Sequence, residues 1–340
     1  MSTNVIISKE NLLQGLDKAL ADYKLAALTE KEDKVLYDYV DSSKAIKLDY
    51  QPTVLSPKKF FFPQDETILE YSSDGKSKTK IEAKPTVLFG IRPCDLNGLK
   101  ILNEAFADDN GDPNYLAKLE KALVIGIDCC KICDKNAFCF KVKSHYARGG
   151  YDAMLYELDG KYLIETASEK GKNFVAKYWK TESAKGTEKA DFDKKKEASF
   201  GKEKPFDKLE QFPELFAQNK KHPIWDKEGA RCLSCGSCIM VCPTCYCFDI
   251  EDDLDLNLKG GKRVRKWDAC MLNCFATVAG GENFRHSATA RLHHRINRKF
   301  DYLMKKHGQA VCVGCGRCVR ACLAAISPKT IAENISGEKK

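Results

Sequence analysis

Two cysteine motifs constrain this chain more than any other feature of its sequence. Both have the spacing C-x2-C-x2-C-x3-C, which is typical of proteins that bind a pair of four-iron clusters. In such proteins each cluster is held by three thiolates of one motif and by the last thiolate of the other motif. We therefore predict two [4Fe-4S] clusters with crossed ligand sets. The first cluster site is predicted to contain Cys232, Cys235, Cys238 and Cys322, and the second cluster site Cys312, Cys315, Cys318 and Cys242.

Other uses of these eight cysteines fit the spacing less well. Zinc sites usually combine two Cys-x2-Cys pairs, so a zinc site would leave several thiols unused. Disulfides are typical of secreted proteins, and nothing in the sequence marks this chain as secreted. One position departs from the usual pattern, because Leu323 and not a proline follows Cys322. This departure removes no ligand, and the motifs predict a protein that transfers electrons.

Length, charge and hydrophobicity limit the class of protein. A chain of 340 residues, of which 43% are hydrophobic, has room for two folded domains. Residues 1–12 show no secretory signal and no apolar run is long enough to span a membrane, so we expect a cytoplasmic protein without membrane association. The formal net charge of +8 counts the cysteines as neutral, and bound clusters would lower it. We therefore expect no nucleic-acid partner.

The spacing of apolar residues predicts an α+β fold whose first domain, residues 1–225, is of mixed α/β type. Leu12, Leu16 and Leu20 predict an amphipathic helix over residues 8–22 with Ser8 as its cap. Strands are predicted over residues 34–39, 45–50, 86–91 and 122–127, and a hairpin over residues 154–165. Because a predicted helix over residues 96–106 separates the strands 86–91 and 122–127, we expect these two strands to be parallel and buried.

The second domain, residues 226–340, is predicted to be an α-helical dicluster ferredoxin domain. Between the two motifs Leu292, Ile296, Phe300 and Leu303 recur at helical spacing. The opposite face of this helix carries the basic residues Arg291, His293, Arg295, Arg298 and Lys299. The sequence leaves open whether this basic face is solvated, meets a partner or balances cluster charge. Residues 180–204, which precede this domain, are lysine-rich, and we expect a solvated, mobile segment there.

A further group of cysteines lies in the first domain and indicates an additional metal centre. Cys94 and Cys129 each follow a predicted strand, and the carboxyl ends of parallel strands lie at one edge of a sheet. Soft thiolate ligands suit a third iron–sulfur cluster or zinc, and the alternative is a set of small buried hydrophobic residues. We predict a third iron–sulfur cluster held by Cys94, Cys129, Cys133 and Cys139, with Cys130 as the reserve ligand.

Four more cysteines lie near the motifs and carry a weaker signal. They are Cys245, Cys247, Cys270 and Cys274. Two interpretations stay open, because these thiols could form a fourth metal site or could pack against the nearest cluster and tune its potential. The sequence contains no glycine-rich nucleotide fingerprint after a strand and no catalytic set of Ser, His and Asp or of Cys and His. We therefore expect neither catalytic residues nor a flavin or nicotinamide cofactor on this chain.

Several short segments also resemble a known family. They are Arg92-Pro93-Cys94-Asp95, Asp128-Cys129, Phe138-Cys139, Cys242-Pro243-Thr244-Cys245-Tyr246-Cys247-Phe248, Trp267-Asp268-Ala269-Cys270, Gly280-Gly281-Glu282-Asn283-Phe284-Arg285 and Cys312-Val313-Gly314-Cys315-Gly316-Arg317-Cys318. Together they resemble the A-type subunits of anaerobic sulfite reductases and the related sulfhydrogenase beta subunits. The resemblance extends over most of the chain from about residue 55 onward. This chain departs from it at Ala137, where the family tends to have a cysteine.

The resemblance implies an electron-transfer component of an anaerobic redox complex. Such a protein relays single electrons between a flavoprotein subunit, which binds FAD and NAD(P)H, and a catalytic subunit. The catalytic subunit is of the sulfite reductase, nickel–iron hydrogenase or transhydrogenase type. Two other functions stay open. The chain could be an iron–sulfur reductase with its own substrate-binding cluster, or a zinc-stabilised binding module with a basic face.

Overall fold

The computed structural model describes residues 4–50, 52–108, 110–201 and 203–338, which form two β-sheets and a set of mostly short helices. The strands are β1 (Asn4–Ser8), β2 (Lys24–Lys31), β3 (Lys34–Val40), β4 (Asp65–Ser72), β5 (Ser77–Thr79), β6 (Thr86–Ile91), β7 (Ala122–Ile127), β8 (Ala153–Leu158), β9 (Lys161–Thr166), β10 (Glu182–Ser183), β11 (Phe248–Leu254) and β12 (Gly260–Trp267). The helices are α1 (Lys9–Ala19), α2 (Pro93–Phe106), α3 (Pro113–Lys121), α4 (Glu169–Tyr178), α5 (Glu188–Phe200), α6 (Phe212–Gln218), α7 (Ile224–Ala230), α8 (Ser237–Met240), α9 (Ala288–Asn297), α10 (Leu303–His307), α11 (Arg317–Arg320) and α12 (Pro328–Ser336). The predicted α+β class is confirmed.

The larger sheet places the ends of two buried strands side by side. Its eight strands have the order β10-β1-β9-β8-β7-β6-β2-β3. The neighbouring strands β6 and β7 are parallel, and every residue of both is buried. Their side chains alternate between two apolar clusters, so that Val87 and Phe89 pack on one face and Leu88 and Ile91 on the other. The predicted parallel and buried pair is therefore confirmed.

The smaller sheet joins the two halves of the chain. It has the order β11-β12-β4-β5, in which β4 and β5 come from the first half and the hairpin β11–β12 lies between the two cysteine motifs. On this sheet Arg265 of β12 is buried and its guanidinium forms an ion pair with Glu66 of β4 at 2.5 Å. The segment between the motifs thus contains a hairpin in addition to the predicted helix.

A third apolar cluster forms the core around the cysteine motifs. Leu292, Ile296 and Phe300 pack in it, as their helical spacing predicts, together with Phe140 and Phe212 from the first half of the chain. The helix α9 continues through a π-helical turn over Arg298–Tyr302 into α10. Because this core contains residues from both sides of position 225, the domain boundary between residues 225 and 226 stays a prediction.

Several sequence predictions agree with the structure in detail. The helix α1 begins directly after Ser8, whose Oγ accepts a hydrogen bond from the Asn11 amide at 3.2 Å. The strand β3 and the antiparallel hairpin of β8 and β9 also lie where the sequence predicts them. The helix predicted over residues 96–106 begins earlier than expected, because Pro93 occupies its first position.

The strand predicted over residues 45–50 is wrong. A 3-10 turn over Ser43–Ala45 occupies its beginning, and the residues that follow are irregular. The side chain of Asp17 fixes this turn, because its carboxylate accepts hydrogen bonds from the Ser43 amide at 2.6 Å and from the Ser43 hydroxyl at 2.7 Å. Ile46 and Leu48 still pack against the core, which explains their strand-like alternation.

The mobile segment predicted over residues 180–204 is also wrong in its central part. The helix α5 forms there and buries Phe192, Lys196 and Phe200, which are four residues apart and share one face. The fully buried ammonium of Lys196 lies 2.6 Å from the Asp128 carboxylate. A lysine-rich composition predicted solvent exposure, but one lysine has a buried carboxylate partner.

Candidate iron–sulfur sites

The first cluster site brings its four predicted ligands together near the surface. Its cysteines line one small cavity, of about 30 Å³, and they are Cys232, Cys235, Cys238 and Cys322. Buried Met271 and Leu292 contribute to the wall of this cavity. Leu233 and Leu323 also line it, although they are 64% and 88% exposed. Cys235 is exposed as well, so this site lies at the protein surface.

The second cluster site brings together the other crossed set. Its cysteines line a separate cavity of about 20 Å³, and they are Cys242, Cys312, Cys315 and Cys318. Phe138, Pro243 and Pro328 contribute apolar surface to the same cavity. The last cysteine of each motif therefore lies with the first three cysteines of the other motif. This sorting agrees with the ligand sets predicted from the spacing, and ligation itself remains a prediction.

Glycines in the left-handed conformation shape both motifs. The short helices α8 and α11 begin directly after Gly236, with φ of 76°, and Gly316, with φ of 75°. Residues with a Cβ rarely adopt this conformation. A Cβ on Gly316 would also lie 2.7 Å from the carbonyl carbon of Asn136, and a Cβ on Gly314 would lie 2.6 Å from the amide nitrogen of Cys139. The second motif therefore packs, backbone against backbone, on the loop that contains Cys139.

Three residues of the predicted basic face are buried. Arg291, Arg295 and Lys299 are each four residues apart, which places them on one side of the helix, and none is more than 5% exposed. Arg295 lines both cluster cavities, whereas Lys299 lines only the second. The Lys299 ammonium donates hydrogen bonds to the Thr244 hydroxyl at 2.6 Å and to the Thr244 carbonyl at 3.2 Å. For these three residues the solvated interpretation is wrong.

Burial raises the pKa of three thiols in the two sites, those of Cys238, Cys312 and Cys315. It raises the pKa of Cys238 to about 11 and the pKa of Cys315 to about 12. Cys242 behaves differently, because a hydrogen bond with the Cys245 thiol and the charge of Lys299 lower its pKa despite burial. Thiols bind metals as thiolates, so buried cations favour the ligand form of these residues.

The third predicted group lies beside the second cluster site. Cys94 is in the first turn of α2, just after β6, and Cys129 follows β7, as the sequence predicts. Burial raises the pKa of Cys139, and the charges of Cys129 and Cys133 raise it further. The pKa of Cys94 is likewise raised by burial and then by charges that include Cys315 and Cys139. The four predicted ligands thus influence one another electrostatically, and they also interact with a cysteine of the second motif.

The reserve ligand, Cys130, has different surroundings. Cys94 and Cys129 pack against the apolar cluster that contains Cys139, whereas Cys130 packs against the cluster that contains Met154 and Tyr156. Cys130 nevertheless lines one cleft together with Cys129 and Cys133, so the chosen set of four and a set that includes Cys130 both stay predictions. The identity of the bound group stays a prediction.

A buried ion pair connects this third group to the second motif, and sequence reasoning missed it. The guanidinium of Arg317, which lies between Cys315 and Cys318, is 1% exposed and donates to both carboxylate oxygens of Asp95, at 2.6 and 2.8 Å. It also donates to the hydroxyl and the carbonyl of Thr53 at 2.9 and 3.1 Å. The only signal in the sequence is an arginine inside a cysteine motif, which composition alone would assign to the surface.

Three of the four remaining cysteines lie together, close to the second site. One thiol hydrogen bond joins Cys245 to Cys242, and another joins Cys247 to Cys270. The hydrogen bond with Cys270 lowers the pKa of Cys247 to about 6. Cys274 is exposed. Among the described residues, no three or more His, Cys, Asp or Glu side chains form a group that could hold a single metal ion. A fourth metal site that includes Cys274 therefore gains no support from the geometry and stays a prediction.

Two comparisons with known proteins bear on the second half of the chain and on the chain as a whole. Residues 231–326 match the family of 4Fe-4S dicluster domains. Over 306 residues the chain is 31% identical to sulfhydrogenase 2 subunit beta of Pyrococcus furiosus, and the aligned region covers 88% of each chain. No helix among the described residues has the length and apolar character needed to cross a membrane. The prediction of a dicluster domain in the second half of the chain is confirmed.

Proposed function

Because the chain belongs to the sulfhydrogenase beta-subunit family, we propose that it relays single electrons between an NAD(P)H-linked flavoprotein and the catalytic subunit of a redox complex. The observation that carries this proposal is the sorting of the eight motif cysteines into two separate cavities, four to each. A four-iron cluster supplies one-electron redox chemistry when it is bound by four thiolates. The protein contributes the position, the burial and the electrostatic surroundings of each cluster.

The residues present fit two anionic clusters. Each cavity is lined by four thiols, which are the soft ligands that iron–sulfur clusters use. Arg295 and Lys299 place buried positive charge at the same cavities. Clusters ligated by thiolates carry net negative charge, so these cations would have a compensating partner.

The arrangement of the sites supports a relay. Cys238 of the first site and Cys318 of the second interact electrostatically, and Cys315 of the second site interacts with Cys94 of the third group. The first site lies at the surface beside Leu323 and other exposed residues. At the other end, Cys129 lines an open cleft of about 370 Å³. A partner can therefore approach either end of the series.

That same cleft favours a second candidate function, an iron–sulfur reductase with its own substrate site. The cleft is lined by Cys129, Cys130 and Cys133 and by the buried side chain of Arg92. The carboxylates of Asp49, Asp128, Glu157 and Asp159 line the same cleft, so a polar substrate could bind there beside the third group of cysteines. Changes in the paramagnetic spectrum of the isolated chain on substrate addition would favour this function over the relay.

The experiment that tests the relay is anaerobic purification of the native complex, followed by identification of its subunits and counting of its metals. We expect a flavoprotein and a catalytic subunit to accompany the chain. We also expect about eight iron atoms per chain for the two motif sites, and about twelve if the third group binds a cluster. Zinc without iron, or a chain that purifies without partners, would contradict the proposal.

We predict that the third group binds its cluster independently of the motifs. Replacement of Cys94 by alanine should remove about four iron atoms and leave both motif clusters in place. The matched control is Cys130→Ala, because Cys130 lies nearby but packs in a different apolar cluster. Equal iron loss in both variants would show that our ligand set is wrong, and no iron loss in Cys94→Ala would show that the group is structural.

A further inference from the structure

The side chain of Arg295 is a buried cation without an acidic partner in the described part of the chain. It is 4% exposed, and its Nε has no hydrogen-bond partner among the described residues. No Asp or Glu side chain within those residues forms an ion pair with it. An unpaired buried charge is strongly unfavourable, so a group of opposite charge is expected beside it.

The two neighbouring cations on the same helix face provide a useful contrast. The guanidinium of Arg291 donates to the Asn273 side chain and to the Ser234 hydroxyl, both at 2.9 Å, as well as to two backbone carbonyls. The Lys299 ammonium is hydrogen bonded to Thr244. Hydrogen bonds with neutral groups therefore stabilise the terminal nitrogens of Arg291 and the ammonium of Lys299. The Nε atoms of Arg291 and Arg295 both lack a hydrogen-bond partner among the described residues.

Cysteines from both cluster sites face Arg295, and they include Cys238, Cys318 and Cys242, with which its side chain interacts electrostatically. Cys238 belongs to the first site, and Cys318 and Cys242 belong to the second. The side chain of Arg295 itself lines both cavities. Its position is thus between the two sites, in contact with each.

We propose that Arg295 is a positioning residue that provides one positive charge shared by both clusters and thereby raises the reduction potential of each. This inference rests on the proposed function, since it requires that both motif sites bind clusters. Reduction adds a negative charge to a cluster, and a nearby buried cation stabilises the reduced form more than the oxidised form. Because one charge lies beside both sites, its removal should shift both potentials in the same direction.

The test is a redox titration of the intact, anaerobically assembled chain, followed by electron paramagnetic resonance and accompanied by iron counting. In Arg295→Met we expect the equilibrium constant for reduction of each cluster to fall at least tenfold, which corresponds to a shift of about 59 mV to more negative potential for one electron. Lys299→Met is the matched control, and it should shift only the second cluster. The two signals are assigned with Cys322→Ala and Cys242→Ala, which remove one site each.

Each outcome decides the question. If wild-type protein lacks either cluster, the proposed function fails. If both clusters are present but Arg295→Met or Arg295→Gln leaves the potential of either unchanged, the inference about Arg295 fails. If both neutral variants lose iron, Arg295→Lys discriminates, because retention of iron with near-native potentials supports a requirement for charge. If Arg295→Lys also lost iron, the shape of the arginine side chain and not its charge would be what the sites require, and the proposal would be overturned.

Discussion

Replacement of Cys242 by alanine is expected to empty the second cluster site and to leave the first intact, although Cys242 belongs to the first motif. The thiol of Cys242 lines the cavity formed by Cys312, Cys315 and Cys318, and it does not line the cavity of Cys232 and its neighbours. Loss of one of four thiolates removes a ligand that a stable cluster requires. The iron content should therefore fall by about four atoms per chain, as measured by metal analysis of anaerobically purified protein.

Double variants show which site has been lost. Cys242→Ala combined with Cys315→Ala should lose no more iron than either single variant, because both residues line one cavity. Cys242→Ala combined with Cys235→Ala should lose about eight iron atoms, because these residues line different cavities. Cys274→Ala is the matched control, since Cys274 is exposed and lines neither cavity. If the first double variant lost twice as much iron as the second, the crossed assignment would be reversed.

The sorting of the eight motif cysteines into two cavities agrees with the prediction, because the spacing within each motif can be seen directly in the sequence. In each motif three cysteines follow one another at a fixed spacing, and a left-handed glycine such as Gly236 or Gly316 opens the short helix between them. The positions of Cys94 and Cys129 at the ends of strands could also be predicted from the sequence. Each follows an uninterrupted apolar run, and parallel strands bring such ends to one edge of a sheet.

The charged residues around the sites could not be predicted, because their surroundings are set by contacts between distant segments. Arg317 and Asp95 are separated by 222 positions in the chain, and Lys196 and Asp128 by 68. A sequence read alone assigns lysine and arginine to solvent, because an apolar interior disfavours charge. Arg295 is buried beside cysteines of both predicted cluster sites, and those cysteines come from segments that are distant from it in the sequence.

Loss of the charge on Asp95 is expected to destabilise the whole chain, because Arg317 would then be a buried cation without a counter-ion. Both side chains of the pair are at most 1% exposed, and the guanidinium binds the carboxylate through two hydrogen bonds. Removing one partner of a buried pair typically costs about 3–5 kcal/mol. For Asp95→Asn we therefore expect the midpoint of thermal unfolding, followed by circular dichroism under anaerobic conditions, to fall by about 5 °C.

The exposed pair of Asp252 and Arg263 is the matched control for this prediction. It has the same two-fold hydrogen bonding, with both distances 2.8 Å, but both side chains are more than 40% exposed. Solvent screens such pairs, so Asp252→Asn should leave the midpoint close to that of the wild type. The double variant Asp95→Asn with Arg317→Met should recover part of the loss, because it removes both charges. If Asp95→Asn were no more harmful than Asp252→Asn, the buried pair would not be what holds the second motif against α2.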